Sequence, residues 1–542
     1  RIPPEFPLTQ EFARNLSEVS RSVGRQIGVL VSRRGEVHCV IVGDHRQIVI
    51  PDLSGFRSGA GRLKGLRLIH THLNGEALTR DDLVDLALLR LDYICAVSAE
   101  KNGLPGRVFG AHLIPENPDG RYWAILEPVF PSEMPQGFLA FIQALEEEIA
   151  RKQRAREVRF SDRAILVRVE TDPGSDSEGA VEELRELARS CNVEVLDAVI
   201  QHRPQVDPKF LLGRGKLSDV LIRALQKGAN LLIFDHELNP SQARSIVEIT
   251  DLKVIDRTQL ILDIFAQRAH SREGKIQVEL AQLKYRLPRL VQQTTALSRL
   301  AGGIGGRGPG EMKLEVDRRR VRDRIVQLEK ELKSIRKARH QRRRMRRKKG
   351  LPVISIIGYT NAGKSTLLNA LTKSRVLAEN RLFATLDPKS SRLRFPRDRE
   401  AIITDTVGFI RDLPEDLFAA FRATLEELDE ADVLLHVIDV SNPRFEDQMA
   451  AVERILEELD LQRKTELRVF NKTDLCPDAA VLENLCQRFH AVPVSSLHPE
   501  TFGPLMERLE EIIAAKESAL LCGSPDGEVP SFLPDPLPDG PS

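Results

Sequence analysis

The stretch Gly358-Tyr359-Thr360-Asn361-Ala362-Gly363-Lys364-Ser365 has the spacing G-x-x-x-x-G-K-S. An apolar run, residues 353–357, precedes it, and a helix-forming run opening at Thr366 follows. That order delivers a glycine-bearing loop from a buried strand to a helix N-terminus, where backbone N–H groups converge on phosphate oxygens. Lys364 has the reach for β/γ-phosphates, and the Ser365 hydroxyl is a magnesium ligand type. Alone, the match could be a chance strand-to-helix turn. Three later stretches decide against that.

Asp405-Thr406-Val407-Gly408 is a D-x-x-G after an apolar strand. Its aspartate suits magnesium held through water, and its glycine N–H suits a terminal phosphate. Asn471-Lys472-Thr473-Asp474 is an N-K-x-D at the end of another apolar run. The Asp474 carboxylate can accept from the ring N–H and exocyclic amine of guanine. Adenine offers no amine there and would leave the carboxylate unpaired. Lys472 is expected along the base plane, and Asn471 as a brace between loops. Residues 492–496 then end a strand at Ser495 and Ser496, where a backbone N–H can meet the guanine carbonyl. Four such elements in this order, each at a strand's C-terminal end, imply a nucleotide site on a parallel sheet that takes GTP and GDP with Mg2+.

Three positions qualify that reading. Thr385, between the loop helix and D-x-x-G, is the best candidate for a switch hydroxyl that closes on magnesium. With Lys364 and Gly408 it makes up the expected catalytic set. Phe409 stands where many GTPases carry the glutamine that orients water. A phenyl ring cannot do so, which implies slow intrinsic hydrolysis and activation by a partner. Asn361 either braces its loop or helps hold a potassium ion beside the phosphates.

The chain of 542 residues, 41% of them hydrophobic, is long enough for three or four domains. No run is apolar enough to span a membrane and no signal peptide is visible, so a cytoplasmic monomer is expected, peripheral membrane contact being the alternative. Six cysteines lack C-x-x-C or other metal spacing and read as reduced thiols. The net charge of +1 conceals a segment, residues 336–349, in which ten of fourteen residues are Lys or Arg. Such self-repulsion is relieved by a polyanion.

That segment ends the second of two helical patterns. Ile276, Leu280, Leu283, Leu287 and Leu290 recur at helical steps in residues 273–299, and Leu314, Val321, Ile325, Leu328, Leu332 and Ile335 in residues 313–349. Residues 300–311 between them hold six glycines. The pattern implies a long antiparallel helical hairpin with a glycine-rich tip that can approach RNA closely. The expected RNA contacts are Arg299, Gly303, Gly305, Gly306, Arg307 and Lys313 at the tip, and Arg343, Arg344, Arg346 and Arg347 on the basic helix. Upstream, strand and helix patterns alternate over residues 164–255, the mark of a small α/β domain with a parallel sheet. Its Gly213-Arg214-Gly215-Lys216 reads better as a helix-starting turn than as a second nucleotide loop.

Residues 164–515 resemble HflX-type GTPases of the TRAFAC class. The stretches that carry this are Gly213-Arg214-Gly215-Lys216, Asp256-Arg257-Thr258-Gln259-Leu260-Ile261-Leu262-Asp263-Ile264-Phe265, Arg307-Gly308-Pro309-Gly310-Glu311, the loop at Gly358, and the segment from Asp405 to Pro414 with its hydrophobic Phe409. Met312 departs from the family's threonine. The resemblance implies a ribosome-associated GTPase that binds the large subunit and its rRNA and splits stalled or idle ribosomes, often under stress. It also implies that the hairpin tip reaches toward the peptidyl-transferase centre, and it links the small α/β domain to ATP. An assembly or RNA-modification GTPase is the alternative.

The first 156 residues lie outside that core. His70-Thr71-His72 ends a strand pattern, with Thr79 and Asp82 following on a helix. This resembles JAB/MPN or RadC-type sites, in which two imidazoles and a carboxylate hold zinc. Two departures imply a JAB-like fold without catalysis: the gap after His72 is one residue short, and Arg25 stands where the general base belongs. Zinc on His70, His72 and Asp82 is the residual expectation, and a metal-dependent isopeptidase with a regulatory G domain the weaker alternative.

The expected architecture is multidomain α/β: an N-terminal α+β JAB-like extension (1–156), a small α/β domain (157–270), the hairpin (271–350), a P-loop GTPase domain with a mixed, mostly parallel sheet (351–516), and a disordered tail (517–542).

Overall fold

The structure, a computed structural model, describes residues 1–51, 53, 62–115, 122–154, 162–172, 174, 176–250, 252–300, 309–347, 351–372, 383, 389–395, 399–411 and 428–521, with backbone alone at 152–154, 291–300, 309–314, 336, 338–347, 389, 517 and 519–521. It forms two compact units, Arg1–Arg257 and Thr258–Ser542. Among the described residues no helix is long and apolar enough to cross a membrane.

The first unit opens with α1 (Gln10–Val23), which starts at the Thr9 cap and stops at Gly24, whose φ is 67°. Then come β1 (Ile27–Ser32), β2 (Val37–Val42), β3 (Leu66–His72), α2 (Arg80–Leu88), β4 (Tyr93–Ala99), β5 (Pro105–Leu113), β6 (Trp123–Ile125) and α3 (Phe138–Arg154). The strands form one sheet in the order β2-β1-β3-β4-β5-β6, antiparallel except for β3 beside β4. Side chains alternate across a strand. Ile69 therefore packs with Ala13, Leu16, Phe138 and Ile142 of α1 and α3, while Leu66 and Leu68 pack with Leu83 and Leu86 of α2. His70 and His72 share the parity of Leu66 and Leu68, so they face α2.

Alternation also predicts a strand over residues 47–50, and the structure has none there. The Asp44 side chain accepts from the N–H groups of Arg46 and Gln47, and this turn ends the pairing. Ile48 and Ile50 still pack on the α2-side core.

A second sheet in the first unit comes from β7 (Arg163–Glu170), α4 (Ser177–Ser190), β8 (Glu194–His202), α5 (Arg214–Lys227), β9 (Leu231–Phe234), α6 (Pro240–Val247) and β10 (Lys253–Asp256). Strand order is β10-β9-β7-β8, parallel throughout, as helical crossovers require. Next comes α7 (Arg257–Arg268).

In the second unit, α8 (Arg272–Leu300) and α9 (Pro309–Arg347) bury Ile276 and Leu280 against Leu328 and Leu332. The ion pairs Arg272–Glu331 and Arg324–Glu279 occur in opposite order along the two helices, so these described parts run antiparallel. The rest is β11 (Val353–Ile357), α10 (Lys364–Thr372), β12 (Lys389–Arg394), β13 (Glu400–Asp405), β14 (Val433–Asp439), α11 (Phe445–Glu458), β15 (Thr465–Asn471), α12 (Ala479–Phe489), β16 (Ala491–Pro493) and α13 (Gly503–Leu521). The sheet order is β12-β13-β11-β14-β15-β16, with β12 alone antiparallel. The C-terminal ends of β11, β13, β15 and β16 therefore open on one edge, where an α/β sheet places its ligand.

Candidate nucleotide site and candidate metal centre

Gly358 leaves β11 at φ 143°, and a Cβ there would lie 2.2 Å from the Val437 carbonyl oxygen of β14. No other residue type fits. The loop turns through Asn361 at φ 64° and Gly363 at φ 90° before α10 starts at Lys364. The Lys364 ammonium folds back over the loop and donates to the carbonyls of Gly358 (3.0 Å) and Tyr359 (2.6 Å). Burial pulls it down to about 8, with the nearby Asp405 acting the other way. A bound polyphosphate is the counter-charge that such a buried ammonium needs. The pairing of Ile356 with Asp405 brings β13 alongside, and Ser365 Oγ donates to Asp405 Oδ2 at 2.6 Å. These are two of the three groups expected to serve magnesium, and they converge. Thr366 continues α10, partly buried.

D-x-x-G is tied to the same loop. Thr406 Oγ1 donates to the Ile356 carbonyl at 2.6 Å, and Val407 is buried beside it. A Cβ on Gly408 would come 2.8 Å from Thr360 Cγ2 and 2.9 Å from Lys364 Nζ, so the loops meet only because residue 408 is glycine. Phe409 N–H donates to the Gly358 carbonyl (3.1 Å), and Thr360 N–H donates to the Phe409 carbonyl (2.8 Å). Tyr359 OH accepts from Arg411 N–H at 2.8 Å.

The N-K-x-D loop is equally fixed. Buried Asn471 donates from Nδ2 to the Ala362 carbonyl (2.8 Å), while its Oδ1 accepts from Ser496 N–H (3.0 Å) and Ser496 Oγ (2.8 Å). One side chain thus joins the phosphate loop to the loop after β16. Lys472, at φ 61°, donates to Asp439 Oδ2 at 2.6 Å. Asp474 Oδ1 accepts from Ser495 Oγ at 2.6 Å. Every sequence-predicted nucleotide residue in a described position lies along this one edge.

The family models described as GTP-binding GTPase N-terminal, GTP-binding GTPase Middle Region and 50S ribosome-binding GTPase match residues 178–266, 268–346 and 353–472. GTPase HflX of Lacrimispora saccharolytica is 47% identical over 354 residues, which cover 65% of this chain and 84% of that protein. The chain belongs to the HflX GTPase family. It is a GTP-hydrolysing enzyme. HflX of Escherichia coli is 46% identical over 317 residues, 58% of this chain and 74% of that protein. A GTP-binding protein of Sulfolobus solfataricus, solved with GDP, is 26% identical with a TM-score of 0.38, covering 65% of this chain and 99% of that one.

Within this HflX-family chain, Phe409 is buried to 4% exposure and its backbone carries the loop contacts. The ring is packed away from solvent. Thr385, the tip residues Gly303, Gly305, Gly306 and Arg307, and residues 522–542 of the tail lie outside the described residues, whereas residues 517–521, expected in the disordered tail, continue α13, because no glycine or proline breaks the helix before them. Arg299, Lys313, Arg343, Arg344, Arg346 and Arg347 lie on α8 and α9, described as backbone alone. Sequence reasoning missed Asp439, which holds Lys472, and the Ser495 hydroxyl as the partner of Asp474. A small polar residue after a strand is the only signal either gives.

A second cluster lies in the HflX-family chain's first unit. His70 Nε2 and His72 Nε2 are 3.0 Å apart. Asp82 Oδ1 is 3.2 Å from the first, and Oδ2 is 3.6 Å from the second. The capping box at the start of α2 aims Asp82: Thr79 donates to Oδ2 from N–H and from Oγ1, each at 2.7 Å. Burial would raise this carboxyl, but the bonds to His70 and Thr79 outweigh it and hold it at about 2. His72 Nδ1 donates to the Glu76 carbonyl at 3.0 Å, which leaves Nε2 its lone pair. Burial, then the neighbouring His70, lowers the His72 pKa and favours that neutral form. Two imidazoles and a carboxylate with all ligand atoms within 4.8 Å match the donor set of zinc. His70 Nδ1 is buried without a hydrogen-bond partner, so this ligand lacks the outer support that His72 has. Arg25, before β1, is exposed.

Proposed function

We propose that this GTPase acts on ribosomes: it binds the large subunit and dissociates stalled or idle ribosomes, with residues 301–308 between α8 and α9 contacting rRNA near the peptidyl-transferase centre. The observation that carries the reading is family membership joined to the match of residues 353–472 with a 50S ribosome-binding GTPase. Phe409 supports it, because a site without the water-orienting glutamine calls for an activating partner. In this reading Lys364 neutralises the transferring phosphate, Gly408 N–H senses it, and Asn471, Lys472, Asp474, Ser495 and Ser496 hold guanine. Magnesium, when bound, would sit with Ser365, Thr385 and, through water, Asp405, and would offset phosphate charge.

The test is the GTP hydrolysis rate with and without whole ribosomes and isolated large subunits, beside subunit separation on a gradient. Stimulation with separation is expected; no stimulation by either particle removes the reading. Alanine at Gly303, Gly305 and Gly306 should abolish separation while nucleotide affinity is kept. Separation that survives disproves the role of the tip.

A second reading concerns the first unit. We propose that the N-terminal sheet is JAB-like, retains one zinc ion on His70, His72 and Asp82, and has lost hydrolytic activity because Arg25 replaces the general base. The convergence of three ligand atoms within 4.8 Å supports it. Elemental analysis of the purified chain should find one zinc, absent from His72→Ala.

A further inference from the structure

The helix that carries Asp82 belongs to two cores. Leu83 and Leu86 of α2 are buried in the core of the N-terminal sheet, whereas Leu88, at its last residue, packs against the core of the parallel sheet. α2 also packs against α5. Arg80 Nη2 pairs with Asp219 Oδ1 of α5 at 2.9 Å. The Asp85 carboxyl, pushed up to about 6 by burial and then by Asp82 and Asp81, also feels Arg214 at the start of α5, which acts the other way.

The other two ligands are on β3, a strand buried along its whole length. The metal centre therefore joins a buried strand to a helix that contributes to both cores. Without an ion, Asp82 meets the strand through one His70 contact at 3.2 Å and a longer one to His72. Three coordinate bonds in their place would fix the first turn of α2 far more tightly.

We propose that zinc on His70, His72 and Asp82 is a clasp: by fixing α2 on β3 it fixes the docking of the N-terminal sheet on α5, and its loss loosens that docking. The inference rests on the zinc reading above and adds a role to it. The ion is structural here, and no bond is made or broken in a substrate.

The full chain is the material for the test. Zinc content is measured after dialysis with and without chelator, and amide hydrogen exchange is followed in residues 80–88 and 214–227 of both samples. Stripping should raise exchange in both segments by about tenfold or more, and added zinc should restore protection. Zinc that binds at one equivalent while exchange in 214–227 stays unchanged overturns the clasp and leaves the zinc reading standing. A chain that takes up no zinc overturns both. His72→Ala should match the stripped chain and ignore added zinc. Should that variant fail to fold, Arg80→Ala replaces it: zinc content stays at one equivalent, while exchange in 214–227 rises even in the loaded chain. Unchanged exchange there also overturns the clasp.

Discussion

Asn471→Ala tests whether the nucleotide site depends on one buried amide. The change strands three groups: the Ala362 carbonyl, the Ser496 N–H and the Ser496 hydroxyl. The hydroxyl can rotate to a new partner, but the two backbone groups cannot. Asn471 is 1% exposed, so each is left poorly solvated. An unsatisfied buried group costs about 1–3 kcal/mol, which gives roughly 2–4 kcal/mol once water recovers part of the loss. The bond joins the phosphate loop to the loop expected to take the base, so most of this cost falls on the nucleotide-bound form. GDP affinity should drop roughly thirty-fold to several-hundred-fold. Titration with a fluorescent GDP analogue measures it, and circular dichroism checks the fold. A dissociation constant within about threefold of the parent, with the fold intact, would refute the claim that this amide couples the loops.

Three further outcomes follow from other positions. Gly363→Ala should abolish nucleotide binding in the same titration, since its φ of 90° strains any side chain and the new Cβ would lie 2.2 Å from Asn471 Nδ2. Arg67, 1% exposed, stacks 4.9 Å from the Phe138 ring, its guanidinium nitrogens make no hydrogen bond, and burial lowers it to about 10. Arg67→Met should leave the unfolding free energy of the N-terminal sheet, reported by the chain's single tryptophan, Trp123, unchanged or higher by about 1–3 kcal/mol; a clear loss would show that the charge is needed. Burial would raise the Glu466 carboxyl, but the bond to His436, then the charges of His436 and Arg468, hold it below its ordinary value of 4.5. The folded pKa is thus the lower one, so its stabilisation is complete above about 4.5 and is lost as pH falls through the folded value. Urea unfolding across this range should show a shallower acid limb in Glu466→Gln, and identical limbs would count against the account.

Much of the nucleotide site is legible in the sequence because phosphate and guanine dictate residue types at fixed short spacings. The sheet around it is legible because β11, β13 and β15 are apolar runs that end in those motifs, and β14 is an apolar run between them. What the sequence hides is remote or unpatterned. Lys472 finds Asp439 33 residues away and Asp474 finds Ser495 21 away, and nothing local marks either pair. The edge strand β12, Lys-Ser-Ser-Arg-Leu-Arg, is too polar to read as a strand. It forms because its backbone pairs with β13 from Lys389–Asp405 to Arg394–Glu400. Likewise β4 is buried on both faces and shows no alternation. The turn at Asp44 shows the opposite error, an alternating pattern whose backbone is diverted before it can pair. For the metal cluster, H-x-H and the later aspartate were visible, but that α2 is shared between two cores was not.

The short bridge between Tyr359 and Phe409 adds one rung to the sheet beyond β11 and β13. Its two backbone bonds flank the same two residues, Tyr359 and Phe409, so a shift of Gly408 large enough to break one strains the other. Movement at this point is then closer to unzipping than to bending, and it comes in whole steps. The N–H groups of Thr360 and Phe409 would exchange with solvent together or not at all. A change in that shared rate between GTP and GDP would time the opening of the loop without any label.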